Sequence, residues 1–306
     1  MNNVKLPKIE YVFNGGISPY ANDVQSSTID WAKKLNVLNE AKKVERYKKQ
    51  SIGFLASRAQ PYDSFSDVSL TSDYLLLFCM LDDYSDSVTD PLEFKKYTDN
   101  IISILKGNPM EKRDAFLIGW ENWWERVKID TPIDWQNRIT ESIKKCFEAI
   151  TWEIKQRING QIPKVNNYVN NRQHSGSVFV FFDLIERGGG RYLPIEARSD
   201  LFIDLINSAS KITNWTNDIL SLKKEIKNEE IHNLVICVQN HNQGSIQESL
   251  DYVMKMLDEE IVKYNELKKN LLSLNTPFEK KIKTYIYYLE TGVRGNYEWS
   301  IRTKRF

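Results

Sequence analysis

Apolar residues recur along most of this chain at steps of three and four. After Gly244, the positions Ile246, Leu250, Val253, Leu257, Ile261, Tyr264 and Leu267 form one stripe over about six turns, as a helix does when it turns one face to a core. Comparable stripes run from Thr28 to Leu38, Leu92 to Leu105, Met110 to Val127, Trp135 to Arg157, Ala197 to Leu222 and Phe278 to Trp299. Turn-forming clusters separate them at Asn108-Pro109, Thr131-Pro132, Gly188-Gly189-Gly190, Leu193-Pro194 and Asn275-Thr276-Pro277. No stretch alternates with a period of two for long enough to build a sheet. With no internal repeat and no low-complexity linker, the pattern predicts one all-α domain spanning 1–306.

The run Tyr74-Leu75-Leu76-Leu77-Phe78-Cys79-Met80-Leu81 is apolar on every side and ends in Asp82-Asp83-Tyr84-Ser85-Asp86. Acid at the C-terminal end of a buried helix opposes the macrodipole, which favours cations there. Folding gains nothing from that placement, and desolvated carboxylates are tolerated when they are paired or bind metal. Residues four apart on a helix lie about 40° apart around the axis, so Asp82 and Asp86 share a face while Asp83 points roughly 100° from Asp82. Two carboxylates on one face suit Mg2+, which keeps several waters and is completed by substrate phosphates. An acidic, solvated helix end followed by a turn is the bland alternative.

A second constellation lies at Asn217-Asp218-Ile219-Leu220-Ser221-Leu222-Lys223-Lys224-Glu225, where Asn217, Ser221 and Glu225 recur at every fourth position. An amide, a hydroxyl and a carboxylate in one stripe supply three oxygen ligands with one formal charge, which suits a Mg2+ shared with an anionic substrate. Lys224 would meet a phosphate oxygen as a point charge. Ser221 taken alone is better explained by a bond back to the carbonyl four residues earlier. Gly176 interrupts what otherwise reads as a helix from Pro163 to Arg187. Glycine costs about 1 kcal/mol there relative to alanine, so a break or kink is expected.

In this order, these features resemble the class I terpene synthases, particularly the microbial ones. Asp82-Asp83-x-x-Asp86 is similar to the family's aspartate-rich motif, and Asn217-Asp218-x-x-Ser221-x-x-Lys224-Glu225 to its second metal motif. Arg172-Gln173-His174-Ser175-Gly176 begins 45 residues before Asn217, where the family keeps a diphosphate-sensing arginine and a helix-breaking effector glycine. Gly295-Asn296-Tyr297-x-Trp299, followed by Arg305-Phe306, resembles the segment that ends in the family's terminal arginine-tyrosine pair. Leu184-Ile185-Glu186, Leu193-Pro194 and His232-Asn233-Leu234-Val235 match between the motifs, so the resemblance covers nearly the whole chain. Two positions depart from the family: Phe306 lacks the tyrosine hydroxyl, and Ser175 stands where some relatives carry an acidic linker.

The resemblance implies an all-α bundle around a central apolar cavity, a cluster of three Mg2+ ions and an acyclic prenyl diphosphate substrate. Asp82 and Asp86 would hold metal on one wall, and Asn217, Ser221 and Glu225 on the other. Asp83, Arg172, Lys224, Arg305 and Phe306 would make up the diphosphate-binding set, with Asp83 acting by orienting an arginine. Ser175 and Gly176 would face the allylic end, while Phe78 and Trp299 would line the pocket and offer ring faces to carbocations. Ionisation followed by cyclisation would yield a terpene hydrocarbon or alcohol, from C15 farnesyl diphosphate slightly ahead of C20 geranylgeranyl diphosphate.

Three rival readings bear on this one. A chain-elongating isoprenyl diphosphate synthase carries, by resemblance, a second Asp-Asp-x-x-Asp, where this chain has the Asn/Ser/Glu stripe. A di-iron carboxylate bundle needs two Glu-x-x-His units, and only Glu229-x-x-His232 was found. A non-catalytic helical scaffold leaves four ordered motifs as coincidence.

Composition narrows the partners. With 42 basic and 41 acidic residues the net charge is +1, which gives no electrostatic footprint for nucleic acid or an anionic membrane, so an anion site must rely on local charge. Apolar stretches such as Leu75 to Leu81 are far short of the roughly 20 residues a spanning helix needs, and no signal peptide is evident, so the expected protein is soluble and cytoplasmic. Cys79, Cys146 and Cys237 lack metal-type spacing and read as reduced core cysteines. A homodimer is compatible with the resemblance. Trp120, Trp123 and Trp124 read as core rather than catalytic residues.

Overall fold

The computed structural model describes residues 4–11, 13–109 and 113–305. All regular elements among them are helical. They are α1 (Ala21–Lys34), α2 (Ala41–Gln50), α3 (Ile52–Ala59), α4 (Phe65–Ser85), α5 (Pro91–Leu105), α6 (Ala115–Val127) and α7 (Ile133–Ile158). After these come α8 (Val165–Ser175), α9 (Val178–Arg187), α10 (Asp200–Lys227), α11 (Leu234–Asn242), α12 (Ile246–Leu272) and α13 (Glu279–Ser300). Two short 3-10 turns, Gly188–Gly190 and Ile195–Ala197, join α9 to α10.

Local chemistry sets many of the helix starts. Ser64 caps α4 by accepting the Asp67 N–H, and Asp90 caps α5 by accepting the Leu92 N–H with Pro91 in the first turn. Asp114 caps α6, Ser199 caps α10 and Asn233 caps α11 in the same way. Ser245 and Glu248 form a reciprocal capping box at the start of α12.

The all-apolar run predicted from sequence is the buried heart of the bundle. Tyr74, Leu76 and Leu77 of α4 are fully enclosed, and α4 packs against α1, α3, α6 and α9. A run with no polar side needs cover on every side, and those helices with α7 supply it except where Leu75 and Phe78 face a cavity. Opposite, α10 packs against α8, α11, α12 and α13. Trp120 and Trp123 are wholly buried against Tyr74 in edge and tilted contacts, in keeping with a core role.

The predicted stripes fall on real helices with shifted ends. The Thr28–Leu38 stripe lies on a helix that ends at Lys34, after which the chain turns through Asn36 at φ 59°. The Ala197–Leu222 stripe lies on a helix running Asp200–Lys227. Residues 110–112 of the Met110–Val127 stripe lie outside the described residues, as does Phe306; the described helix there begins at Ala115.

Three helices carried no readable stripe. α2 buries only Val44, Tyr47 and Gln50, α3 is only eight residues long and contains Gly53, and α11 has nine residues. Gly53 is required by contact, because a Cβ there would press on the Gln25 backbone at 2.6 Å.

The expected break at Gly176 is present. α8 stops at Ser175, Ser177 takes a left-handed conformation at φ 57°, and α9 starts at Val178. Buried Glu186 on α9 anchors the following loop: it accepts from Arg138 at 2.7 Å, from the Leu193 N–H at 2.8 Å and from Arg198.

Candidate active site

One cavity opens between the C-terminal end of α4 and the C-terminal half of α10. The apolar part of its lining is built by Leu55, Leu75, Phe78, Ile150, Val178, Phe181 and Trp299. Its mouth is polar, with Asp82 and Asp86 on the α4 side and Asn217, Lys224 and Glu225 on the α10 side. Arg172, Ser175, Gly176 and Arg305 complete the lining among the residues singled out from sequence.

The angular relation of the aspartates decides what each one does. Asp82 and Asp86 face the cavity, whereas Asp83 turns to the outer side, where it accepts from the Tyr47 hydroxyl at 2.6 Å and pairs with Arg46 at 2.7 Å. Arg305 bridges the two directions, with Nη2 at 2.7 Å from Asp82 Oδ2 and 3.5 Å from Asp83 Oδ1. Asp83 thus stands within ion-pair reach of Arg305 and does not line the cavity.

On the facing wall, Arg172 reaches from α8 onto α10. Its Nη2 donates to Asn217 Oδ1 at 2.9 Å and its Nε to Asp218 Oδ1 at 3.0 Å. Asp218 is fully buried and also accepts from the Tyr168 hydroxyl (2.8 Å) and the Leu234 N–H (3.0 Å), so it holds Arg172 rigidly. Asn233 donates to Glu225 Oε2 at 2.6 Å and fixes that carboxylate. Ser221 is buried, donates to the Asn217 carbonyl at 2.8 Å and is not part of the cavity lining.

Gly176 has a specific reason to be glycine. A Cβ at this position would collide with the Asn214 side-chain oxygen. Tyr74 and Ser177 share a hydrogen bond behind it, so the left-handed residue is pinned to α4. Phe78 stacks on Tyr74 with centroids 6.4 Å apart, and the Trp299 indole donates to the Gln50 and Ser51 carbonyls at 2.8 and 3.0 Å.

Electrostatics ask for a cation. Burial, with the negative charge of Asp82, pushes the Asp86 carboxyl up to about 7; burial, with Asp218, does the same to Glu225. Among the described residues no three acidic, histidine or cysteine side chains converge. The oxygen donors sit instead as a carboxylate pair and an amide-carboxylate pair on opposite walls, an arrangement that suits hard divalent ions completed by water and an anionic ligand. Asp82, Asp86, Asn217 and Glu225 are the residues that could hold them.

Sequence reasoning assigned no site role to several lining residues. Glu153, Arg157, Asn214, Glu230, His232 and Asn296 all face the cavity. Glu153 and Arg157 were detectable as two polar residues four apart on the inward stripe of α7. Burial, reinforced by Arg157 and Arg172, pushes the His232 imidazole down to about 3, so it is neutral at physiological pH. Cys79, Cys146 and Cys237 are all free and buried, and burial raises each thiol, Cys79 to about 11.

A helical bundle closed around an apolar cup, with acidic and amide side chains on opposed helices at its mouth, is the architecture of the class I terpene synthases. Residues 73–263 match the family described as terpene synthase family 2, C-terminal metal binding. The (+)-T-muurolol synthase of Roseiflexus castenholzii, a (2E,6E)-farnesyl diphosphate cyclizing enzyme, is 27% identical over 98% of this chain and 93% of its own length. The (+)-eremophilene synthase of Sorangium cellulosum is 27% identical over 97% of this chain and 91% of its own. Among solved structures, α-eudesmol synthase superposes with a TM-score of 0.88 at 19% identity, covering 96% of this chain and 99% of that one. The chain belongs to the terpene synthase family, and it is a terpene cyclase, a lyase.

Proposed function

We propose that this enzyme ionises an acyclic C15 prenyl diphosphate, farnesyl diphosphate, in a Mg2+-dependent step and cyclises it within one helical domain to a sesquiterpene hydrocarbon or alcohol. The observation that carries the reading is the pairing of Asp82 and Asp86 with Asn217 and Glu225 across one cavity that Leu75, Phe78, Ile150, Val178, Phe181 and Trp299 also line. Two relatives, the T-muurolol synthase and a 4-epi-cubebol synthase, are named as cyclizing (2E,6E)-farnesyl diphosphate, which favours C15 over C20.

Asp82 and Asp86 on one side, with Asn217, Ser221 and Glu225 on the other, are the ligands assigned to metal. Ser221 would have to turn its hydroxyl from the Asn217 carbonyl to join them. Mg2+ bound there would act as a Lewis acid toward the leaving diphosphate.

The chain's own groups do the rest. Arg172, Lys224 and Arg305 offer charge-assisted hydrogen bonds to the phosphate oxygens that gain charge as the allylic carbon-oxygen bond breaks. The break after Ser175 directs backbone at Gly176 into the cup beside the cation. Phe78, Phe181 and Trp299 exclude water and present ring faces, each a contribution of about 0.5–2 kcal/mol to a nearby cation.

Among the described residues, no helix is long and apolar enough to cross a membrane. A homodimer and a cytoplasmic location are compatible with this reading.

Purified protein incubated with C10, C15 and C20 diphosphates and Mg2+, followed by gas chromatography with mass spectrometry and an assay of released diphosphate, tests it. A cyclic C15 product without added isopentenyl diphosphate is expected. Turnover that requires isopentenyl diphosphate would instead identify a chain-elongating enzyme, and no release from any substrate would overturn the reading.

A further inference from the structure

The last turn of α7 brings Arg157 under the C-terminal end of α4. Its Nη2 donates to two carbonyls there, Ser85 at 2.6 Å and Val88 at 3.2 Å. The Ser85 carbonyl also takes the Val88 N–H at 3.2 Å, so one guanidinium nitrogen closes the turn that contains Asp86 and follows Asp82. α4 has no basic residue in its own last turn. A helix that ends in carboxylates and exposed carbonyl dipoles needs positive charge at that end, and here another helix supplies it. Arg157 meanwhile lines the cavity mouth with Asp86, Glu230 and His232, so the clasp lies at the site itself.

We propose that Arg157 is a positioning residue: by clasping the Ser85 and Val88 carbonyls it fixes the angle at which Asp82 and Asp86 face the cavity, and so sets their joint affinity for a divalent ion. This rests on the reading of Asp82 and Asp86 as metal ligands. It also has an unusual sign. By charge alone, removing a cation beside two carboxylates would tighten the binding of a divalent cation. A loss of positioning weakens it.

The test measures Mn2+ binding in the presence of inorganic diphosphate, reading free Mn2+ by electron paramagnetic resonance, for the wild type, R157M and R157K. R157M is expected to bind about 10-fold more weakly or worse, the scale on which groups that orient metal ligands act. R157K is expected to fall between R157M and the wild type, because a compact ammonium keeps the charge without the planar fork. The Mg2+ concentration for half-maximal turnover should rise in parallel, while KM for the prenyl diphosphate at saturating Mg2+ stays within about twofold, a split that general loosening of the fold would not give.

Tighter or unchanged Mn2+ binding in R157M overturns the proposal. So does wild-type affinity in R157K, which decides the matter if R157M loses its helical circular dichroism. A wild-type protein that neither binds Mn2+ with diphosphate nor releases diphosphate from a prenyl substrate overturns the functional reading instead.

Discussion

Arg172 Nη2 donates to Asn217 Oδ1 at 2.9 Å, so the cation assigned to diphosphate grips a side chain assigned to metal. A metal that takes that amide oxygen would compete with the cation for it. Arg172 would then turn its Nη2 toward phosphate while Asp218 keeps Nε at 3.0 Å. Lysine can make one of these contacts but cannot span both. R172K is therefore expected to lower kcat by about 10²-fold, the scale of losing one preorganised donor to a developing oxyanion, with little change in Tm. Steady-state release of diphosphate checks this, and a KM-only effect would remove Arg172 from the chemical step.

Asn217 and Glu225 carry the metal assignment for the second wall. N217A and E225A are expected to abolish turnover and to lose the thermal stabilisation given by Mg2+ with inorganic diphosphate, while the helical circular dichroism stays intact. Retained activity in either variant would count against the wall as a metal site.

How much of this was open to sequence reading depended on the kind of residue. The core stripes of α7 and α12 and the break at Gly176 are periodic or conformational signals, and each lies where its pattern put it. The facing directions of Asp82 and Asp83 followed from helical geometry alone. α2 and α3 did not show because their packing comes from tertiary contact: Gln50 is 3% exposed although glutamine is usually a surface residue. Glu153 and Arg157 stood out only as two polar residues four apart on the inward stripe of α7, a signal that names no role. The Arg172–Asp218–Tyr168 cluster joins residues 46 and 50 positions apart, which no local pattern reports.

The carboxyls at the site make metal binding and stability respond to pH in opposite ways. Asp86, Glu153 and Glu225 are each pushed up to about 7, in every case first by burial. Their unfolded values are near 4, so the metal-free folded protein holds extra protons between about pH 4 and 7. Stability from these groups is therefore full below about pH 4 and falls as pH rises, until the loss is complete above about 7. Metal needs the ionised forms of Asp86 and Glu225. Mg2+ with inorganic diphosphate should thus raise Tm more at pH 8 than at pH 6, measured by scanning calorimetry at both pH values. Equal increments would show that neither carboxyl is a ligand.

Gly176 is held open by a neighbour and not by its own torsion angle, since its φ is −72°. G176A would drive a methyl group into the Asn214 side chain. A displacement of that size at the reacting end is expected to cost about 10²-fold in kcat. N214A in the same chain should restore part of the loss because it removes the obstructing oxygen. No restoration would mean that the backbone at Gly176, and not space, is what matters.

Three contacts of the C-terminal segment converge on one residue. Gln50 ends α2, and its carbonyl accepts from Trp299 Nε1 at 2.8 Å and from Thr303 Oγ1 at 2.7 Å, while its Oε1 accepts from Arg305 Nη1 at 3.1 Å. Arg305 can then extend Nη2 to Asp82 at 2.7 Å. If the Gln50 side chain only aims Arg305, Q50L should lower kcat/KM by about tenfold, the value of a hydrogen bond to a charged group. R305M should lower it by about 10²-fold or more. Once Arg305 is gone its support has nothing left to aim, so Q50L added to R305M should cost little further. A double-mutant cycle on kcat/KM measures this, with an expected coupling of about 1 kcal/mol or more. Strictly additive losses would show that Gln50 acts on the fold near α3 independently of Arg305, and the tail would lose its assigned part in binding diphosphate through Gln50.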